Sequence, residues 1–126
     1  STEKCPDKYT IWNNIGSCYA KSNKSKLALF YFNRAMKVYP KKFDASYNNG
    51  VLLFSFKKYK ESLILFNKVL TLSNISNEDK NDALVWQTKC YIELGNTEAA
   101  INNIEKILGK NIGNHKRYQE LIKKLF

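Results

Sequence analysis

The chain has 126 residues, of which 44% are hydrophobic and 25% charged, with a net charge of +10. That length suits one domain, with enough material for a continuous core if its elements are helices that stack. No run of about 18 apolar residues occurs, which excludes a membrane-spanning helix.

The first predicted helix follows Asp7, whose side-chain oxygen suits an N-cap, and Ile11, Trp12, Ile15 and Tyr19 recur on it at helical spacing. Ser25 is the expected cap of a second helix, with Leu27, Phe30, Tyr31 and Val38 as its apolar stripe. Pro40 has no amide proton and disfavours helical geometry at Tyr39, so this second helix is expected to stop there. Gly16 offers a place where the two helices can approach closely. Ala28 and Ala35 are the small residues facing it, and Phe32 fills the wider part of the contact.

The pattern then repeats. Trp12-x-x-Ile15-Gly16-x-x-Tyr19, Ala28-x-x-x-Phe32-x-x-Ala35 and Pro40 shift by 34 residues onto Ser46, Asn49, Gly50, Leu53, Ser62, Phe66, Val69 and Asn74. A period of this size marks stacked supersecondary units. A third copy is anchored by Leu94-Gly95-Asn96 and Ala100, after a four-residue insertion expected at Asn77–Lys80. Thr88 stands where glycine stands in the first two copies, so the third pair is expected to splay slightly. Gly109 and Gly113 weaken its far end. The last segment, from His115 to Phe126, carries Tyr118, Leu121, Ile122 and Leu125 at helical spacing between charges.

The first copy resembles the tetratricopeptide repeat signature at nearly every place, with Ile15 where leucine is usual. The resemblance implies repeats at 9–42, 43–76 and 81–114 in a single domain, closed by a capping helix at 115–126. The fold it implies is all-α: a right-handed superhelical stack of three antiparallel helix pairs plus a C-terminal solvating helix, seven helices in all. In such stacks the first helices line a groove that presents a surface to other proteins. Transferred position by position, the partner-binding residues are Asn13, Ser17, Tyr47, Asn48, Val51, Phe54, Val85, Trp86 and Lys89. Aromatic pockets there supply affinity, and amides fix the direction and register of a bound peptide. Trp86 and Asn48 are the positions whose loss is expected to weaken binding while leaving the melting behaviour intact. Members of the family that grip a C-terminal carboxylate use Lys and Asn, then Asn, then Lys and Arg. The corresponding residues are Asn13 and Ser17, Asn48, and Asp82 and Trp86; only Asn48 agrees, and Asp82 would repel a carboxylate.

Chemistry-bearing motifs argue against an enzyme. The one histidine is His115, and there is no phosphate-cradling glycine loop, nucleophile elbow or metal-ligand pair, so no catalytic, cofactor-binding or metal site is expected. Cys5, Cys18 and Cys90 are too scattered for a disulfide framework. Cys18 and Cys90 fall at equivalent repeat positions and are both expected on an inward face, and free thiols favour a reducing, cytoplasmic setting. Ser1 is not a start methionine, and the chain is expected to be an excised or processed piece.

The sequence pI is about 9.5, and the charge is uneven: residues 1–42 hold nine basic and two acidic groups, while residues 77–114 hold four and six. The expected partner is therefore a peptide or helical segment of another protein, with acidic character at the basic end. The bland reading makes Lys24, Lys26, Lys37, Lys41 and Lys42 a solvated face. A second reading is an assembly subunit that self-associates through the basic outer face or the terminal helix. Nucleic-acid binding through Phe56-Lys57-Lys58-Tyr59-Lys60 ranks behind both, because the basic groups are dispersed and Tyr59 occupies a core position of the family.

Overall fold

A computed structural model describes residues 7–109 and 115–125, and within them helices joined by short turns are the secondary structure. Seven helices follow in order: α1 (Lys8–Lys21), α2 (Ser25–Val38), α3 (Phe43–Ser55), α4 (Tyr59–Thr71), α5 (Asn77–Glu93), α6 (Thr97–Leu108) and α7 (His115–Leu125). They form the all-α superhelical repeat in which α1 packs on α2, α3 on α4 and α5 on α6. Each second helix also packs on the first helix of the next pair. The expectations for Cys5 and Gly113, and for the side chains of His115, Leu121 and Leu125, fall outside the described residues.

The glycine–aromatic contact sets the spacing inside the first two pairs. A β-carbon at Gly16 would lie 2.6 Å from the Phe32 ring, and one at Gly50 would lie 2.8 Å from the Phe66 ring. Both rings are fully buried. In the third pair both members change: Thr88 replaces the glycine, and Ile104, narrower than a phenyl ring, stands where Phe32 and Phe66 stand. Thr88 is buried, and its hydroxyl donates to the Leu84 carbonyl of its own helix at 2.7 Å.

All three intra-pair turns use one device. Asn23, Lys57 and Gly95 occupy equivalent positions, each with a positive φ (60°, 63° and 77°). The following amides return to carbonyls five residues back: Lys24 to Tyr19, Lys58 to Leu53 and Asn96 to Tyr91. These bonds satisfy helix-end acceptors in the manner of a left-handed C-terminal motif. The same turn corrects the expectation for Ser25. The chain is already helical at that residue, so Lys24 is the cap position and no side chain caps α2. Asp7 does cap α1, accepting from the Thr10 amide at 2.7 Å, and this hydrogen bond holds its carboxyl below the usual range. Ser76 and Asn96 cap α5 and α6. Asn77–Lys80, expected as an insertion between repeats, forms the first turn of α5.

Two further expectations are corrected by position in the stack. Cys90 is fully buried, with its thiol donating to Ser62 Oγ of α4 at 3.5 Å, whereas Cys18 is exposed. The stripe on α2 is also turned outward: Leu27, Phe30 and Val38 are 42%, 50% and 47% exposed, and the buried face is Ala28, Phe32 and Ala35. Cys18 is uncovered because no helix pair precedes α1 among the described residues, whereas the α2 stripe lies on the outer face of the stack, where Ile64, one repeat after Phe30, is 65% exposed as well.

At the other end α7 lies over the last pair. Tyr118 is 4% exposed and, with Ile122, packs against Ala100 and Ile104.

Candidate functional site

The first helices α1, α3 and α5 lie side by side along the inner layer. Their shared surface contains a cleft of about 370 Å³, with walls formed by Ser17, Tyr47, Asn48, Val51 and Trp86 and with Lys21 at its edge. Of the ten residues that line it, these five were expected as partner-binding residues, and the fold brings them together from three different helices; Phe32 and Leu52 also line it and were not expected there. Asn13 does not line the cleft but adjoins it: its Oδ1 accepts from Asn48 Nδ2 at 3.2 Å. That bond aligns the two side chains and leaves the Asn48 carbonyl oxygen and the Asn13 amide hydrogens for another chain.

Phe54 and Lys89 line a second depression of about 280 Å³, with Ile92, Glu93 and Ile122 of α7. Val85 is half-buried on α5 and lines neither space. The contribution of α7 to the second depression was not legible in the sequence, because nothing local in the last segment says where it returns.

Trp86 is built into the wall. Its ring stacks on Phe66 (5.9 Å, 10°) and meets the edge of Phe54 (5.4 Å, 76°), and its indole N–H donates to the Tyr47 hydroxyl at 2.9 Å. Lys89 Nζ lies 4.2 Å from the ring centroid. Tyr47 is in turn edge-on to Phe66 at 5.7 Å, and burial pushes its phenol pKa upward. Tyr47, Val51, Phe54 and Trp86 all pack against the buried cluster of Phe66, Val69, Ala83 and Cys90, so the expectation that loss of Trp86 leaves the melting behaviour intact is corrected. Tyr47, Val51 and Trp86 give one face to the core and the other to the cleft, and Phe54 gives its other face to the second depression. The resulting surface is mainly apolar, firmly held and edged by amides.

On the outer surface Lys42 is not simply solvated. Its ammonium lies 4.0 Å from Asp7 and 5.1 Å from the Tyr9 ring centroid. Tyr59 packs edge-on against Phe54 at 5.0 Å, and its basic neighbours Lys57, Lys58 and Lys60 are exposed. Among the described residues no group of three or more His, Cys, Asp or Glu side chains is placed to hold a metal ion, and no helix is long and apolar enough to cross a membrane.

Paired helices with an open inner surface define a helical repeat protein. Two models of the tetratricopeptide repeat match the chain, one over residues 9–42 and the other over residues 82–111, together about half of it. The chain belongs to the tetratricopeptide repeat family. The peroxisomal targeting signal receptor of Saccharomyces cerevisiae is 28% identical over 75 residues, which are 60% of this chain. The chain spans only 12% of the length of that curated relative. Among solved structures, the first TPR of Spaghetti (RPAP3) bound to the HSP90 peptide SRMEEVD superimposes with a TM-score of 0.74 at 22% identity, covering 92% of this chain and 89% of that one. The N-terminal domain of stress-induced protein-1 from C. elegans gives 0.77 at 12% identity, covering 91% and 92%. At these identities the two structures support the fold alone.

Proposed function

We propose that this chain is a non-enzymatic interaction module, one domain of three repeats (9–42, 43–76 and 81–114) with a terminal helix at 115–126. In this reading it holds a segment of a partner protein in the cleft formed by Ser17, Tyr47, Asn48, Val51 and Trp86. The observation that carries the reading is the cleft itself: apolar walls braced from behind by buried residues, beside an amide pair with unused donors and acceptors. Preorganised walls lose little entropy when a ligand binds, and amides select main chain in one direction. The bound HSP90 peptide in the Spaghetti structure supports a peptide as occupant, and Lys21 at the edge favours an acidic residue on it. The departures at Asp82 and Trp86 from the carboxylate-gripping pattern favour an internal segment over a free C-terminus.

Selection of a random peptide display library on the folded chain, beside a Ser17→Trp variant whose cleft is filled, tests the reading. Sequences enriched on the parent should fail to enrich on the variant. Equal enrichment on both would exclude the cleft as the binding site.

A further inference from the structure

The two interfaces between successive pairs are built alike. Asn49 Nδ2 of α3 donates to Asn33 Oδ1 of α2 at 3.0 Å, and Gln87 Nε2 of α5 donates to Asn67 Oδ1 of α4 at 2.6 Å. Asn33 and Asn67 are one repeat position; Asn49 and Gln87 are another. Beside them Ala45 and Ala83, again equivalent, are fully buried. Each later pair thus greets the preceding second helix with a small residue and an amide.

At the start of the stack the same positions carry different chemistry. Ala45 and Ala83 correspond to Ile11, which is 39% exposed, and Asn49 and Gln87 correspond to Ile15. Alongside lie Trp12 and Tyr19, both stacked on Tyr31 at 5.6 Å, with Phe30 edge-on to Tyr31 at 5.2 Å. The Arg34 guanidinium covers part of this surface, 4.4 Å from the Trp12 ring and 5.5 Å from that of Phe30. Lys26 and Lys37 are exposed one helical turn to either side of the Phe30–Arg34 pair.

We propose that this edge is a second docking surface, separate from the inner cleft, for an amphipathic helix with an acidic polar face contributed by another protein. The helical shape follows from continuity with the interfaces already present, where the equivalent surfaces of α3 and α5 receive α2 and α4. Isoleucines in place of the amide and the alanine call for an apolar stripe on the incoming helix, not a further asparagine-bearing repeat. The charge follows from Arg34, Lys26 and Lys37, in a segment of 42 residues with nine basic and two acidic groups. A second copy docking face to face would set these cations against each other. A second copy docking head to tail would have to displace α7 from Ala100 and Ile104.

The chain has two tryptophans, and they report the two sites separately: Trp12 at this edge and Trp86 in the cleft. The probe is a stapled helical peptide of about four turns, with leucines at i, i+3, i+4 and i+7 and glutamates elsewhere. Controls carry lysines in place of the glutamates, or the same residues with the stripe scrambled. The indole N–H resonance of Trp12 is expected to shift with the glutamate peptide alone, while that of Trp86 stays in place. Phe30→Asp and Ile11→Asp should each weaken this binding about tenfold or more, as loss of an apolar anchor does. Both residues are surface-exposed, and circular dichroism checks that each variant stays folded. Ser17→Trp, which fills the cleft, should leave the titration unchanged, so failure here and failure of the cleft reading are distinguishable. Equal binding of the lysine peptide, a Trp86 shift without a Trp12 shift, or indifference to Phe30→Asp would overturn the proposal. So would sedimentation of the free chain as a dimer that Phe30→Asp dissolves, since a second copy would then be the occupant.

Discussion

The hydroxyl of Tyr9 accepts a hydrogen bond from the backbone amide of Ala45 at 2.7 Å, across 36 residues of chain. Ala45 is the third residue of α3, and Lys42, at the cap position, makes no side-chain cap bond. A tyrosine of one repeat therefore satisfies a helix-end donor of the next, joining two pairs through an otherwise orphaned amide. Tyr9→Phe keeps the packing and removes the acceptor. Urea unfolding should show a loss of about 1–2 kcal/mol, the usual cost of deleting an N-terminal cap.

The same residue gives a pH dependence. Burial pushes the Tyr9 phenol up to about 12, against 10.0 ordinarily. The unfolded chain releases this proton first as pH rises, so the folded state binds the extra proton between the two values. The resulting contribution is complete below pH 10, falls through the interval and is gone above about 12. Alkaline unfolding monitored by circular dichroism should be steeper over this interval in the parent chain than in Tyr9→Phe.

The exchange of Gly–Phe for Thr–Ile in the third pair predicts a compensating pair of substitutions. Gly50→Thr alone drives a side chain into the Phe66 ring and should cost about 2–3 kcal/mol from overpacking, which the slightly better helix propensity of threonine over glycine does not offset. Adding Phe66→Ile reproduces the third pair's combination and should recover a substantial part of that loss. A double variant no more stable than Gly50→Thr would show that the two positions are not coupled.

Ser46 Oγ is buried without a hydrogen-bond partner among the described residues. Ser46→Ala removes a desolvated hydroxyl and leaves the packing nearly unchanged. The substitution should be neutral or stabilise the fold by up to about 1 kcal/mol, read as the denaturation midpoint in urea.

Much of this architecture was legible because helix pairs that stack must repeat their contacts, and repetition survives in spacing. Gly16 and Gly50 lie 34 residues apart, and each meets an aromatic ring 16 positions later, as the close approach of paired helices demands. Five of the ten residues lining the cleft were assigned as partner-binding by the same register, while Phe32 and Leu52 were not. Other features left no local trace. The capping role of Tyr9 depends on a residue 36 positions away. Cys18 and Cys90 are equivalent in register, yet their surroundings differ because α4 stands against one and no described helix stands against the other. Register assigns a residue to a face, but a neighbouring repeat decides whether that face is covered.

Trp86 shows how the two levels meet, and it separates two substitutions that looked alike in the sequence. Trp86→Ala removes a ring stacked on Phe66 and should destabilise the fold by about 3 kcal/mol, so lost binding in that variant would not by itself report on the cleft. Asn48→Ala removes one part-buried amide bond and should change stability by only about 1 kcal/mol. Melting curves of the two variants, recorded side by side, check this difference.

The most direct measurement of the central claim is a titration of a display-selected peptide followed through the two indole N–H resonances. The cleft account predicts that Trp86 shifts with saturation, that Trp12 stays still, and that Ser17→Trp abolishes the effect while remaining folded. Saturable binding that moves Trp12 alone, or that persists undiminished in Ser17→Trp, would contradict it.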